Sequence, residues 1–174
     1  SLMAAALIIS APLMAADYSI DKEGQHAFVN FKASHLGYSY IIGRFTDFEG
    51  SFSHDDANAS ASSVNVTINS KSVDTNHAER DKHLRSDDFF NVDKQPQMTF
   101  ASTGYDGKQL KGDLTIMGVT KSVILDVTKI GEGKDPWGGY RAGFTGAVTL
   151  AAADFGLPKW IGNMEVELNV EGVK

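Results

Sequence analysis

From about residue 27 onward the chain alternates apolar and polar side chains in short runs. Ala27, Val29, Phe31, Ala33 and His35 share one parity and Asn30, Lys32 and Ser34 the other, the period-two signature of a strand with one buried face. A histidine ends that inward row, and His35-Leu36-Gly37-Tyr38 reads as a turn into a second strand carrying Phe45, Phe48 and Phe52. Phe45 and Phe48 are three apart, so parity slips between them and a bulge is predicted. The pattern returns at Val64, Val66 and Ile68, at Met98 and Phe100, and at Leu110, Gly112, Leu114 and Ile116. It returns again at Val123, Leu125 and Val127, at Ala142, Phe144, Gly146, Val148 and Leu150, and at Val166, Leu168 and Val170. Gly104–Gly107 and Met117–Thr120 read as turns; His54–Ser62 and Gly131–Gly139 read as loops by composition.

Eight such strands, joined mostly by hairpin-length links, predict an all-β fold, and an eight-stranded antiparallel up-and-down barrel in preference to a sandwich. A barrel of that size is just wide enough for its own side chains or one slender ligand, and strands of about 10 residues tilted roughly 40° enclose an interior about 25 Å long. The inward rows are Val, Leu, Ile, Phe, Met and Gly with no cluster of inward charge, which suits a long apolar guest. The candidate ligand contacts on them are Val29, Phe31, His35, Leu36, Phe45, Phe48, Val66, Ile68, Met98, Phe100, Leu114, Ile116, Leu125, Phe144 and Gly146. A phenylalanine at Gly112 or Gly146 is expected to fill the lumen and leave the barrel folded.

One stretch breaks the alternation. Val73 to Asn91, VDTNHAERDKHLRSDDFFN, crowds charges, two histidines and a Phe-Phe pair into a segment of helical character, and reads as a lid. Asn76 is placed as N-cap with Glu79 three residues on, a capping-box arrangement, and Glu79/His83 and Asp81/Arg85 fall at four-residue spacing. Two readings stand for Arg80, Asp81 and His83. They cap and solubilise a helix at the barrel mouth, or one of them turns inward to hydrogen-bond the polar head of a ligand. A metal site is a third option; His77 and His83 are six apart, on different helix faces, and would need a ligand such as His35. Phe89 and Phe90 serve as core or as a plug for the barrel end. Trp137 and Trp160 sit in Gly- and Pro-flanked loops and are expected to pack over the rim.

Composition narrows the function classes. The chain has 174 residues, 42% of them apolar, enough for one ordinary core over 17–174. A net charge of −6 and no basic stripe exclude a nucleic-acid footprint. There are no cysteines, hence no disulfide and no thiolate chemistry. Residues Leu2 to Ala16, LMAAALIISAPLMAA, have the length of a signal-peptide apolar region and not of a membrane span of about 20 residues, so 1–16 are expected to be a leader remnant. Gly-x-Ser-x-Gly, His-Glu-x-x-His and Walker motifs are missing from the sequence, and Gly131-x-Gly133 runs into Asp135-Pro136, unlike a dinucleotide fingerprint. Binding without catalysis or cofactor is the expectation, with a hydrolase or isomerase using the lid histidines as the minority alternative.

Three motifs carry a resemblance. Asp74-Thr75-Asn76, Arg80-Asp81, His83-Leu84 and Asp88-Phe89 form the first; Gly112-Asp113-Leu114-Thr115-Ile116 with Gly118-Val119-Thr120-Lys121 the second; Asp135-Pro136-Trp137-Gly138-Gly139 with Arg141-Ala142-Gly143-Phe144 the third. In that order they closely resemble the YceI-like family of bacterial proteins, from Asp17 to Val173. The resemblance implies a periplasmic, lipocalin-like barrel holding a polyisoprenoid or isoprenoid quinone, with Asn76, Arg80, Asp81 and His83 as lid candidates. Transient membrane contact and a homodimer are compatible partners, and a broader module scavenging amphiphiles or antibiotics is the second reading. The segment DFGLPKWIGNM, Asp154 to Met164, departs from the family pattern at that rim.

Overall fold

The computed structural model describes residues 15–174, so the leader expected at 1–16 lies almost wholly outside the described residues. The strands are β1 (Ala16–Ile20), β2 (Phe28–His35), β3 (Ser39–Phe45), β4 (Phe48–His54), β5 (Ser63–Asn69), β6 (Val73–Asp74), β7 (Gln97–Tyr105), β8 (Gln109–Ile116), β9 (Val119–Lys134), β10 (Tyr140–Ala151) and β11 (Asn163–Val173); one helix, α1 (Ala78–Arg85), interrupts them. All pairings are antiparallel, in the order β1-β4-β5-β7-β8-β9-β10-β11, and β11 returns to β1 to close the ring. The result is a closed eight-staved barrel among the described residues, as the alternation predicted.

Eleven segments make eight staves because three staves are broken, into β1 and β2, β3 and β4, and β5 and β6. β11 pairs its first half with β2 and its end with β1, while β2 and β1 pair with β3 and β4. Between β1 and β2, the Asp21 carboxylate accepts from Gly24 N–H (2.8 Å) and from Arg141 Nη1 (2.6 Å) and holds the detour in place. The slip predicted between Phe45 and Phe48 is a strand break at Thr46 and Asp47. Thr46 N–H turns to Ser72 O (3.2 Å), and Asp47 O accepts from Asn69 N–H (2.9 Å), so pairing passes from β6 to β5 there.

Other expectations shift at the ends. β9 runs on to Lys134, so the loop placed at Gly131–Gly139 shrinks to Asp135–Gly139, where Asp135 accepts from the Trp137 and Gly139 N–H groups. A strand at Ala16–Ile20 escaped the periodicity because it is only five residues long. The Met117-Gly118 link is a two-residue hairpin turn with φ of 55° and 73°.

Inward and outward residues alternate along each stave. On β11 Met164, Val166, Leu168 and Val170 are half-buried and Glu165, Glu167 and Asn169 are exposed. The barrel end beneath α1 is packed solid by Phe45, Val73, Met98, Ile116, Leu150 and Phe155, with Leu84 of the helix set against them. A second cluster of Phe89, Ala152 and Leu157 covers the same end.

Candidate functional site

The inward rows enclose a cavity of about 180 Å³. Val29, Phe48, Val66, Ile68, Phe100, Leu114, Leu125, Phe144 and Gly146 line it, with Phe52, Leu110, Val123, Val148, Val166, Leu168 and Val170. Among the described residues the lining is almost wholly hydrocarbon; its polar members include His54, Ser62, Ser63 and Tyr105. A larger hollow of about 430 Å³ lies on the outside of the wall, against Asn30, Lys32, Arg44, Asp74, Glu165 and Glu167. It is open to water and both of its cations already pair, Lys32 with Glu165 at 2.8 Å and Arg44 with Asp74 at 3.2 Å, so the lumen is the candidate site.

The glycines named as filling positions differ. A Cβ on Gly146 would meet Leu168 and Leu125 at 3.5–3.8 Å, ordinary contact at the lumen surface. A Cβ on Gly112 would overlap the Phe100 ring and the Ala101 carbonyl, because that glycine is the bed on which Phe100 lies. Only Gly146 opens onto the lumen.

Several residues taken as ligand contacts sit elsewhere. Phe45, Met98 and Ile116 belong to the packed end beneath α1. Phe90 stacks edge-on against Phe45 (5.6 Å), and Phe89 packs against His83 (4.9 Å) and Trp160 (5.9 Å) in the outer cluster. Phe31 leans on Phe45 (5.6 Å) and borders the outer hollow. His35 and Leu36 are exposed at the β2–β3 turn, which runs past the barrel end, so the inward parity of β2 stops short of them. Trp137 (78% exposed) and Trp160 (63%) stand out from the surface; Trp137 stacks on the Arg141 guanidinium and does not cover the rim.

The lid residues are tied to the fold. The N-cap of α1 is His77, not Asn76: His77 Nδ1 accepts from Arg80 N–H (3.2 Å), while Asn76 takes a left-handed φ of 61°. Asp81 is buried and accepts from both the N–H (2.8 Å) and the hydroxyl (2.5 Å) of Thr75. Arg80 donates to Thr75 Oγ1 and to the Thr75 carbonyl, each at 2.7 Å. Arg85 donates to Lys71 O and Val73 O, which leaves no Asp81/Arg85 pair. His83 is exposed and pairs with Asp88 (2.9 Å), not with Glu79. These groups bolt α1 to the preceding strand, because a buried carboxylate must be satisfied by the nearest N–H and O–H donors. They do not face the cavity.

Among the described residues, two groupings of imidazole and carboxylate are close enough to share an ion, Asp21/His26/Glu171 and His54/Asp56/Glu132, and neither contains His35, His77 or His83. Each already holds a cationic side chain, Arg141 in the first and Lys129 in the second. In the first, the His26 hydrogen bond, the Gly24 N–H and Arg141 lower the Asp21 pKa to about 2.

A closed ring of strands, one solid end and a hydrocarbon-lined interior define a small antiparallel barrel with an internal apolar site. The model of the YceI-like domain matches residues 18–173, and the chain belongs to that family. It is 55% identical to a UPF0312 protein of Ectopseudomonas mendocina, over 100% of this chain and 96% of that one. Solved structures that share its fold include the following two. Burkholderia cenocepacia BcnA has a TM-score of 0.77 at 21% identity, covering 87% of this chain and 98% of that one. A polyisoprenoid binding domain from Saccharophagus degradans, implicated in plant cell wall breakdown, has a TM-score of 0.67 at 19% identity, covering 89% of this chain and 97% of that one.

Proposed function

We propose that the chain is a non-catalytic carrier that holds one long isoprenoid lipid, such as a prenyl quinone, in the barrel lumen and keeps its tail out of water in the periplasm. The observation that carries this reading is the lining itself, aliphatic and aromatic from Val29 and Leu150 at the closed end to Val170 and Phe144 near the other. The β10 positions that line the lumen, Phe144 to Leu150, run about 16 Å along the barrel axis at a tilt near 40°, an elongated slot that suits part of an extended tail and not a compact solute. Each CH₂ taken from water contributes about 0.8 kcal/mol, so a tail of several five-carbon units supplies ample affinity without any strong polar contact. The polyisoprenoid binding named for the Saccharophagus degradans domain, which shares the fold, supports the same ligand class. The periplasm is supported by the leader-like run Leu2 to Ala16.

Organic extraction of the purified protein followed by mass spectrometry tests the reading. A prenyl lipid at near one per barrel is expected. No prenyl lipid in the extract, together with no binding of a prenyl quinone on reconstitution, overturns it.

A further inference from the structure

The two ends of the lumen are built differently. Beneath α1, Phe45, Met98, Ile116, Leu150 and Phe155 are all buried and close the tube with hydrocarbon. At the far end the lining runs out at Ser62, Ser63 and Tyr105, which are exposed or half-buried. There Tyr18, Phe52 and Ala142 stay buried together on the side of β1 and β10, while the inward rows of β4 and β9 turn polar. His54 continues the row of Phe48 and Phe52 on β4, and Lys129 continues that of Leu125 and Val127 on β9.

These two residues are joined across the opening. His54 Nε2 donates to one oxygen of Asp56 (2.8 Å), and Lys129 Nζ donates to the other (2.5 Å) and lies 3.1 Å from Glu132. In the ring order, β4 and β9 are separated by β5, β7 and β8 on one side and by β1, β11 and β10 on the other. The Asp56–Lys129 pair therefore spans the mouth as a chord and not along a neighbouring stave. His54 is 9% exposed, and its ring packs edge-on against Phe144 of the lumen wall at 5.0 Å.

We infer that the Asp56–Lys129 pair, with His54, is a latch across the mouth of the lumen opposite α1, through which the ligand passes and where its polar head is hydrogen-bonded. The inference rests on the lipid-binding reading above. The head it fits is uncharged and offers an acceptor oxygen, a carbonyl or hydroxyl. Lys129 faces two carboxylates, Asp56 and Glu132, so an anionic head adds charge to a cluster already net negative. Burial works against the charge on Lys129, yet its hydrogen bonds to Asp56 and Glu132 hold its pKa above the usual lysine value, so the strap is charged at neutral pH.

The absence of cysteine allows a direct test of the route. Ser62→Cys, on the inward parity of Val64 and Val66 at the mouth, and Lys82→Cys on the exposed face of α1 are each labelled with a bulky maleimide, and loading with a farnesyl-tailed benzoquinone is timed. Labelling at Ser62→Cys is expected to slow loading at least tenfold relative to the same variant unlabelled, and labelling at Lys82→Cys to leave the rate unchanged. Loading that is unaffected by the mouth label, or slowed by the helix label, overturns the latch while leaving lipid binding intact. No loading of the unmodified protein overturns the lipid reading and the latch with it. Asp56→Asn/Lys129→Gln keeps side-chain size and removes the ion pair; release of the preloaded quinone to vesicles should accelerate about tenfold, and an unchanged rate refutes gating. Farnesol should compete with the quinone at least tenfold better than farnesyl phosphate; equal competition refutes the uncharged head.

Discussion

Gly146→Phe compared with Gly112→Phe separates the lumen from its wall. The ring introduced at Gly146 starts from a Cβ in ordinary contact with Leu168 and Leu125 and points into the cavity, so the barrel should keep its stability to within about 1 kcal/mol. It would displace roughly six carbons of tail, and at about 0.8 kcal/mol each the lost burial is about 5 kcal/mol, more than three decades in affinity. At Gly112 the added Cβ already collides with the Phe100 ring and the Ala101 backbone carbonyl, and a rigid carbonyl on the neighbouring strand has nowhere to go. Gly112→Phe should therefore lose 3 kcal/mol or more of folding stability, roughly the upper range of overpacking costs, whatever it does to binding. Urea unfolding and equilibrium binding of a prenyl quinone, measured on both variants, decide the matter. Wild-type affinity in a folded Gly146→Phe protein would refute the placement of the tail along β10, and wild-type stability of Gly112→Phe would refute the packing of Phe100 on that glycine.

Asp81→Ala strips the buried acceptor from the Thr75 N–H and hydroxyl, and should cost about 3–5 kcal/mol in urea unfolding, whereas the exposed His83→Ala should stay within about 0.5 kcal/mol and leave lipid affinity unchanged. Loss of affinity in His83→Ala would put the ligand head back at the helix. Asp21 has a pKa lowered to about 2 from an ordinary 3.8, so its stabilisation is present above about pH 4 and is lost as the pH falls toward 2, on the order of 1–2 kcal/mol. Unfolding free energies across that window should fall less steeply in Asp21→Asn, and parallel curves would contradict the network with Arg141.

The alternation of side chains made the barrel legible, because inward and outward positions differ by one residue and that contrast is written locally along every stave. The hydrocarbon lumen followed from the same rows. His54 and Lys129 carried the same signal, each two residues beyond the last apolar member of its row, and the parity extended by one step would have placed both inside. Their partnership was not legible. Whether Asp56 reaches Lys129 depends on ring closure, which sets β4 and β9 across from each other although 73 residues separate the two side chains in sequence. Likewise, charges at helical spacing in Ala78–Arg85 are compatible with solvent, ligand or core, and only the path of Thr75 beneath the helix turns Asp81 into an anchor. Local periodicity thus determined which face of each strand is wet. Which end of the tube is solid, which glycine supports a ring, and which polar groups stand at the mouth were decided by contacts distant in the chain, where the physical cause is closure of the sheet and not the character of any one segment.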